Sequence, residues 1–131
     1  MIKKIVLLLV LVLSTFSLVS CKKDEKVTVG ILVTATHSAL DNAKEGFVEA
    51  LKANGYEDAE FIVKNPEGDT TTMNSMATEL VRKSDIVLGI GTPAAVALQS
   101  ARDAEEIDIT VLFTAVTDPV SAGLMTDVNK P

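Results

Sequence analysis

Ile86-Val87-Leu88-Gly89-Ile90-Gly91-Thr92-Pro93 decides the fold of this chain. Its first five residues are an unbroken apolar run. A strand polar on one side would alternate; a run without alternation belongs to a strand buried on both faces, the habit of parallel sheets. The run ends in Gly91, and Thr92-Pro93 then reads as a helix start, a capping hydroxyl followed by proline at the first helical position. Beyond it, Ala94 to Ala104 is rich in alanine and continues the helix.

The same strand-then-helix unit recurs on either side. Val27 to Val33 is a β-branched run and a first strand. Ser38 reads as the N-cap of a helix, with Asp41 three positions on as a capping-box partner. Leu40, Ala43, Phe47 and Leu51 recur at helical spacing, and Asn54-Gly55 stops the helix. Phe61-Ile62-Val63 is a second strand and Asn65 to Asp69 a loop. Met73, Met76, Ala77, Leu80 and Val81 form the apolar stripe of a second helix, with both methionines assigned to the core. Val111 to Val116 is a fourth strand. Apolar strands separated by amphipathic helices imply an α/β fold, a doubly wound parallel sheet with right-handed crossovers.

In such a fold a ligand sits beyond the carboxyl ends of the strands, where strand order reverses. Three segments fall there: Thr34 to Ser38, Gly91 to Pro93, and Thr114 to Asp118. All are rich in hydroxyls and small residues, and the first two run into helix N-termini, whose free N–H groups and partial positive charge suit a carboxylate. Thr92 is the leading ligand contact, although a plain N-cap role would also explain it. Thr36 and Ser38 are read the same way. His37 could donate to a ligand, or simply be solvated as a loop histidine. Thr114 and Thr117 stand at the fourth strand's end. Asp118 could hold an ammonium group or make the turn that Asp commonly makes before proline.

Composition excludes several classes of function. The 131 residues carry a formal charge of −6, with no basic cluster of the kind that neutralises nucleic-acid phosphates. One cysteine and one histidine, Cys21 and His37, provide no metal-type spacing, so no metal or cofactor is expected. Gly89 to Ala94 superficially fits a dinucleotide fingerprint. It follows the third strand rather than the first, however, and Pro93 removes an N–H that a phosphate would use. No nucleophile–base pair is apparent, so no enzyme is expected.

Residues 1–20 read as a signal peptide. Lys3 and Lys4 precede the apolar run Ile5 to Leu13, which is too short to cross a bilayer comfortably. Leu18-Val19-Ser20-Cys21 resembles a bacterial lipobox, with Cys21 as the lipidated residue, and residues 21–26 would then be a charged tether. Loss of residues 1–20, whose charged members are Lys3 and Lys4, would take the charge from −6 to −8. The expected place is the outer face of the cytoplasmic membrane or another extracytoplasmic surface.

The blocks together resemble a known family: the N-terminal lobe of ABC-transporter substrate-binding lipoproteins of the type I periplasmic-binding-protein fold, in the subgroup typified by tryptophan and other aromatic-amino-acid receptors. His37-Ser38-Ala39-Leu40-Asp41 resembles the family's H-P-A-L-D block, followed by Gly46-Phe47. Ile90 to Ala95 resembles I-G-T-P-A-A, and Phe113 to Val120 resembles F-x-A-V-T-D-P-V. Ser38 departs from the usual proline but can still start a helix. The resemblance runs from about Lys26 to the last residue. It implies an amino-acid ligand bound between two lobes, an ABC permease as partner, and a lipid anchor on Cys21. On this reading residues 27–131 form the first lobe alone, with the second lobe absent. The lobe has no Trp; Tyr56 follows a helix end on the far side of the sheet and Phe113 is assigned to the core, so any aromatic stacking surface would come from elsewhere. A ligand-sensing module and a non-functional truncated remnant are the alternatives.

Overall fold

The computed structural model describes residues 26–129. The expected signal peptide and Cys21 lie outside them. Seven elements follow in strict alternation: β1 (Thr28–Val33), α1 (Ser38–Ala53), β2 (Glu60–Lys64), α2 (Thr70–Lys83), β3 (Ile86–Ile90), α3 (Thr92–Glu105) and β4 (Thr110–Thr114). All strand pairs are parallel, and the spatial order is β2-β1-β3-β4. The chain moves outward from β1 to β2, then returns past β1 to β3. Strand order therefore reverses between β1 and β3, which puts the crevice of a doubly wound sheet at their carboxyl ends.

The two faces of the sheet are covered unequally. Leu32 and Val87 pack against α2 and α3 through Met73, Ala77, Leu80, Ala94 and Leu98, all at most 3% exposed. On the other face Val29, Ile31, Val33, Leu88 and Ile90 meet α1 alone, through Leu40, Ala43, Phe47 and Leu51. The α1 stripe has the predicted spacing, yet none of its residues is fully buried. One helix cannot span four strands, so Val63 on β2 and Leu112 on β4 remain 45% and 37% exposed. Phe113, expected in the core, is half-buried because β4 is an edge strand. Met73 is buried and Met76 packs against the core from its rim, as assigned.

Several boundaries differ from the sequence expectations, each for a local reason. His37, not Ser38, is the N-cap of α1; its Nδ1 accepts from the Ala39 N–H at 3.2 Å. Asp41, expected to complete a capping box, pairs instead with Lys44 at 3.2 Å. Gly91, not Thr92, is the N-cap of α3, which moves Thr92 to the first helical position and Pro93 to the second. The chain turns from strand to helix one residue early because Gly91 takes φ 94 and ψ 153, a region essentially reserved for glycine. β4 ends at Thr114 rather than Val116 because Ala115 takes φ 54. Among the described residues no helix is long and apolar enough to cross a membrane.

Gly46 lies in the exposed middle of α1, and a Cβ there would meet no atom within 4 Å. Gly46→Ala is expected to raise stability by about 0.5–1 kcal/mol, through helix propensity and a less flexible unfolded chain. Urea denaturation measures it.

Candidate functional site

The carboxyl ends of all four strands are stitched into one shelf. The Thr34 N–H and Oγ1 both donate to the Ile90 carbonyl, at 3.1 and 3.0 Å, joining the β1 and β3 ends at the point of strand reversal. The Gly91 N–H donates to the Thr114 carbonyl at 3.0 Å, joining β3 to β4, and the Gly68 N–H donates to the Thr34 carbonyl at 2.9 Å, tying in the loop after β2. The three predicted segments therefore do converge.

Within this shelf the helix starts are unlike one another. α1 is capped by the His37 ring. α2 is capped by Asp69, whose Oδ1 accepts from the Thr72 N–H at 2.7 Å. α3 has no side-chain cap. The Ala95 N–H already bonds the Gly91 carbonyl at 3.1 Å, Pro93 has no N–H and Ala94 is fully buried, so the Thr92 N–H is the donor left at this helix start, with no partner among the described residues. A helix start with that free donor, a hydroxyl on the same residue and half-burial of it can receive a carboxylate.

The other predicted residues divide. Thr114 is half-buried at the end of β4, beside Gly91, and Thr117 is exposed beyond it. Ser38 is exposed at the first position of α1. Thr36 is exposed, and its hydroxyl is engaged: it donates to Glu67 and accepts from the Asn65 amide at 3.0 Å. The Asp118 carboxylate accepts from the Ser121 N–H at 3.0 Å and its hydroxyl at 2.6 Å, so it closes a turn, the structural role foreseen for it. Tyr56 follows the far end of α1, away from the shelf.

Sequence reading missed Asn65, Glu67 and Asp69. Glu67 sits at φ 50, and its carboxylate collects the Thr36 N–H at 3.1 Å, the Thr36 hydroxyl and the Asn65 amide at 2.8 Å. It clasps the β1–α1 loop to the β2–α2 loop. The available signal was a loop dense in turn-forming side chains, which by itself did not distinguish a clasp from a solvated turn. The Thr36 hydroxyl, then its N–H, hold the Glu67 carboxyl below its ordinary value. Bonds from Thr72 do the same for Asp69, and bonds from Ser121 for Asp118. A carboxyl lowered by folding stabilises the fold above its unfolded value, near 4, and that stabilisation disappears as pH falls through the folded value. The melting temperature should therefore fall below about pH 4, and Glu67→Gln should flatten that acid limb.

Concavities elsewhere belong to other parts of the molecule. One of about 710 Å³ lies at the opposite end of the sheet, between the start of β1 and the end of α2. The shelf itself is open, with Thr36, His37, Ser38 and Thr117 all exposed. Among the described residues no cluster of metal-ligating side chains occurs.

The sequence pattern of ABC transporter substrate binding proteins matches residues 28–131. The chain belongs to that family. Over 107 residues it is 41% identical to a tyrosine-binding protein of Clostridioides difficile, a match covering 79% of this chain and 30% of that protein. Its fold superposes with TM-score 0.74 on a Streptococcus pneumoniae ABC domain solved in complex with L-Trp, at 35% identity, covering 81% of this chain and 36% of that one. A ligand-free, open substrate binding protein with adhesive properties from Clostridium difficile matches with TM-score 0.71 and 37% identity, covering 78% and 35%. The chain thus spans about a third of the length of the relatives it matches. The likeness runs through the whole β1–β4 sheet, as the matching sequence blocks imply.

Proposed function

We propose that this substrate-binding family member is the first lobe of an extracytoplasmic solute-binding lipoprotein serving an ABC importer, and that it receives an amino acid, aromatic in the leading case, by its carboxylate at the start of α3. The observation that carries the reading is the uncapped N-terminus of α3 at the half-buried Thr92, placed beside the β1–β3 reversal. Thr92 supplies the hydroxyl. His37, Ser38, Thr114 and Thr117 line the surrounding shelf and make lesser contacts. Thr36 acts through its bond to Glu67, and Asp118 shapes its turn. The tyrosine- and L-Trp-binding relatives support an aromatic ligand. This is binding without catalysis. A permease is the partner, residues 1–20 are the export signal, 21–26 the tether, and Cys21 carries the lipid.

A two-lobed receptor divides its contacts, and each 1.4 kcal/mol withheld costs about tenfold, so one lobe alone should bind at about millimolar strength. The chain has no Trp, so the emission anisotropy of added L-tryptophan reports the ligand directly. Thr92→Val is expected to weaken binding about tenfold by removing a hydrogen bond to a charged group, with little change in stability. Unchanged anisotropy titrations would remove Thr92 from the site. Cys21→Ala is expected to abolish labelling by a fatty-acid analogue and release the protein from the membrane fraction; retention there would count against the anchor.

A further inference from the structure

We propose that the β2 edge is a self-recognition surface, pairing antiparallel with β2 of a second copy of this chain to give a continuous eight-stranded sheet. The argument begins with the direction of the backbone groups. The Glu60 N–H donates to the Val27 carbonyl at 2.9 Å, so Glu60, Ile62 and Lys64 face β1. Strand alternation then turns the N–H and C=O of Phe61 and Val63 outward, away from the sheet. Antiparallel pairing centred on Ile62 sets Phe61 opposite Val63 of the second copy, the arrangement in which each couple exchanges two hydrogen bonds.

The side chains agree with that register. Glu60 then stands opposite Lys64 of the second copy at both ends, Ile62 meets Ile62, and Phe61 meets Val63 as an aromatic–β-branched pair. Lys64 already bonds Glu79 on α2 at 3.1 Å, so the incoming Glu60 would extend an existing ion pair. β4, the other edge, has threonine at both ends and no such charge order. β2 carries no proline, its register with β1 is unbroken over five residues, Val63 is 45% exposed, and its two charges, which would repel an in-register parallel copy, are matched by antiparallel pairing. Beside it runs a groove of about 400 Å³ floored by Val48, Phe61 and Val63. Pairing would bring the two grooves together. Two five-residue strands make a small contact, so the dimer is weak.

The test is sedimentation equilibrium of the full chain in density-matched detergent micelles. The wild type is expected to dimerise reversibly. Glu60→Lys sets lysine opposite lysine twice and should weaken the dimer about tenfold. Lys64→Glu should do likewise, and the double reversal should restore affinity. Val63→Pro should abolish dimerisation while circular dichroism stays unchanged, because the lost N–H points to solvent and edge strands tolerate such a proline. A chain that is monomeric at every concentration overturns the proposal. So does a dimer that survives Val63→Pro, or one whose affinity the double reversal does not restore.

Discussion

Gly89→Val is expected to cost about 3 kcal/mol or more, a large share of the 5–15 kcal/mol that holds a domain together. Gly89 lies on β3 beneath α3, paired to Leu32 on one side and Phe113 on the other. A Cβ there would lie 2.5 Å from the Ala95 Cα, 2.7 Å from its nitrogen and 3.1 Å from the Ala94 carbonyl carbon. These are backbone atoms, so no side-chain rotation relieves the contact. The helix must lift from the sheet, opening space around Ala94 and Leu98, which are 0% exposed. Strand and helix stay sound locally; their close approach is what fails. Urea denaturation should show a lower midpoint for Gly89→Val than for the wild type, opposite in sign to Gly46→Ala. Equal midpoints would mean that α3 does not sit as close to β3 as described.

Gly91→Ala is expected to cost about 2 kcal/mol and to remove ligand binding altogether. At φ 94 and ψ 153 an alanine is strained whatever the space around it, and here its Cβ would also fall 2.5 Å from Thr34 Oγ1. That hydroxyl donates to the Ile90 carbonyl, so the substitution pushes on the joint between β1 and β3. It also swings the first turn of α3, and with it the Thr92 N–H. Thr92→Val should reduce affinity alone, whereas Gly91→Ala should reduce affinity and stability together. Folded Gly91→Ala with wild-type L-tryptophan affinity would separate the α3 start from the ligand.

The sheet was legible because its signals are long and repeated. Four apolar runs and three helical stripes each report burial over several residues, and the order of the elements leaves few topologies. The helix starts were harder to read. Ser38 and Thr92 are good capping residues by type, yet His37 and Gly91 take those positions. In each case one residue's backbone angle decides, and composition does not encode it. The site was legible in outline from the convergence of three hydroxyl-rich loops. The Asn65–Glu67 clasp was not, because it joins loops 29 and 31 residues apart from Thr36 and depends on Glu67 adopting φ 50. Phe113 was misplaced because strand hydrophobicity does not reveal which strand lies at an edge.

Amide chemical-shift titration of the 15N-labelled chain tests the central claim most directly, with L-tryptophan in one series and tryptamine, which lacks the carboxylate, in the other. The account predicts a saturable shift at the Thr92 amide with L-tryptophan and none there with tryptamine. A Thr92 amide that stays fixed as L-tryptophan saturates the lobe, or that moves equally with tryptamine, would contradict a carboxylate site at the start of α3.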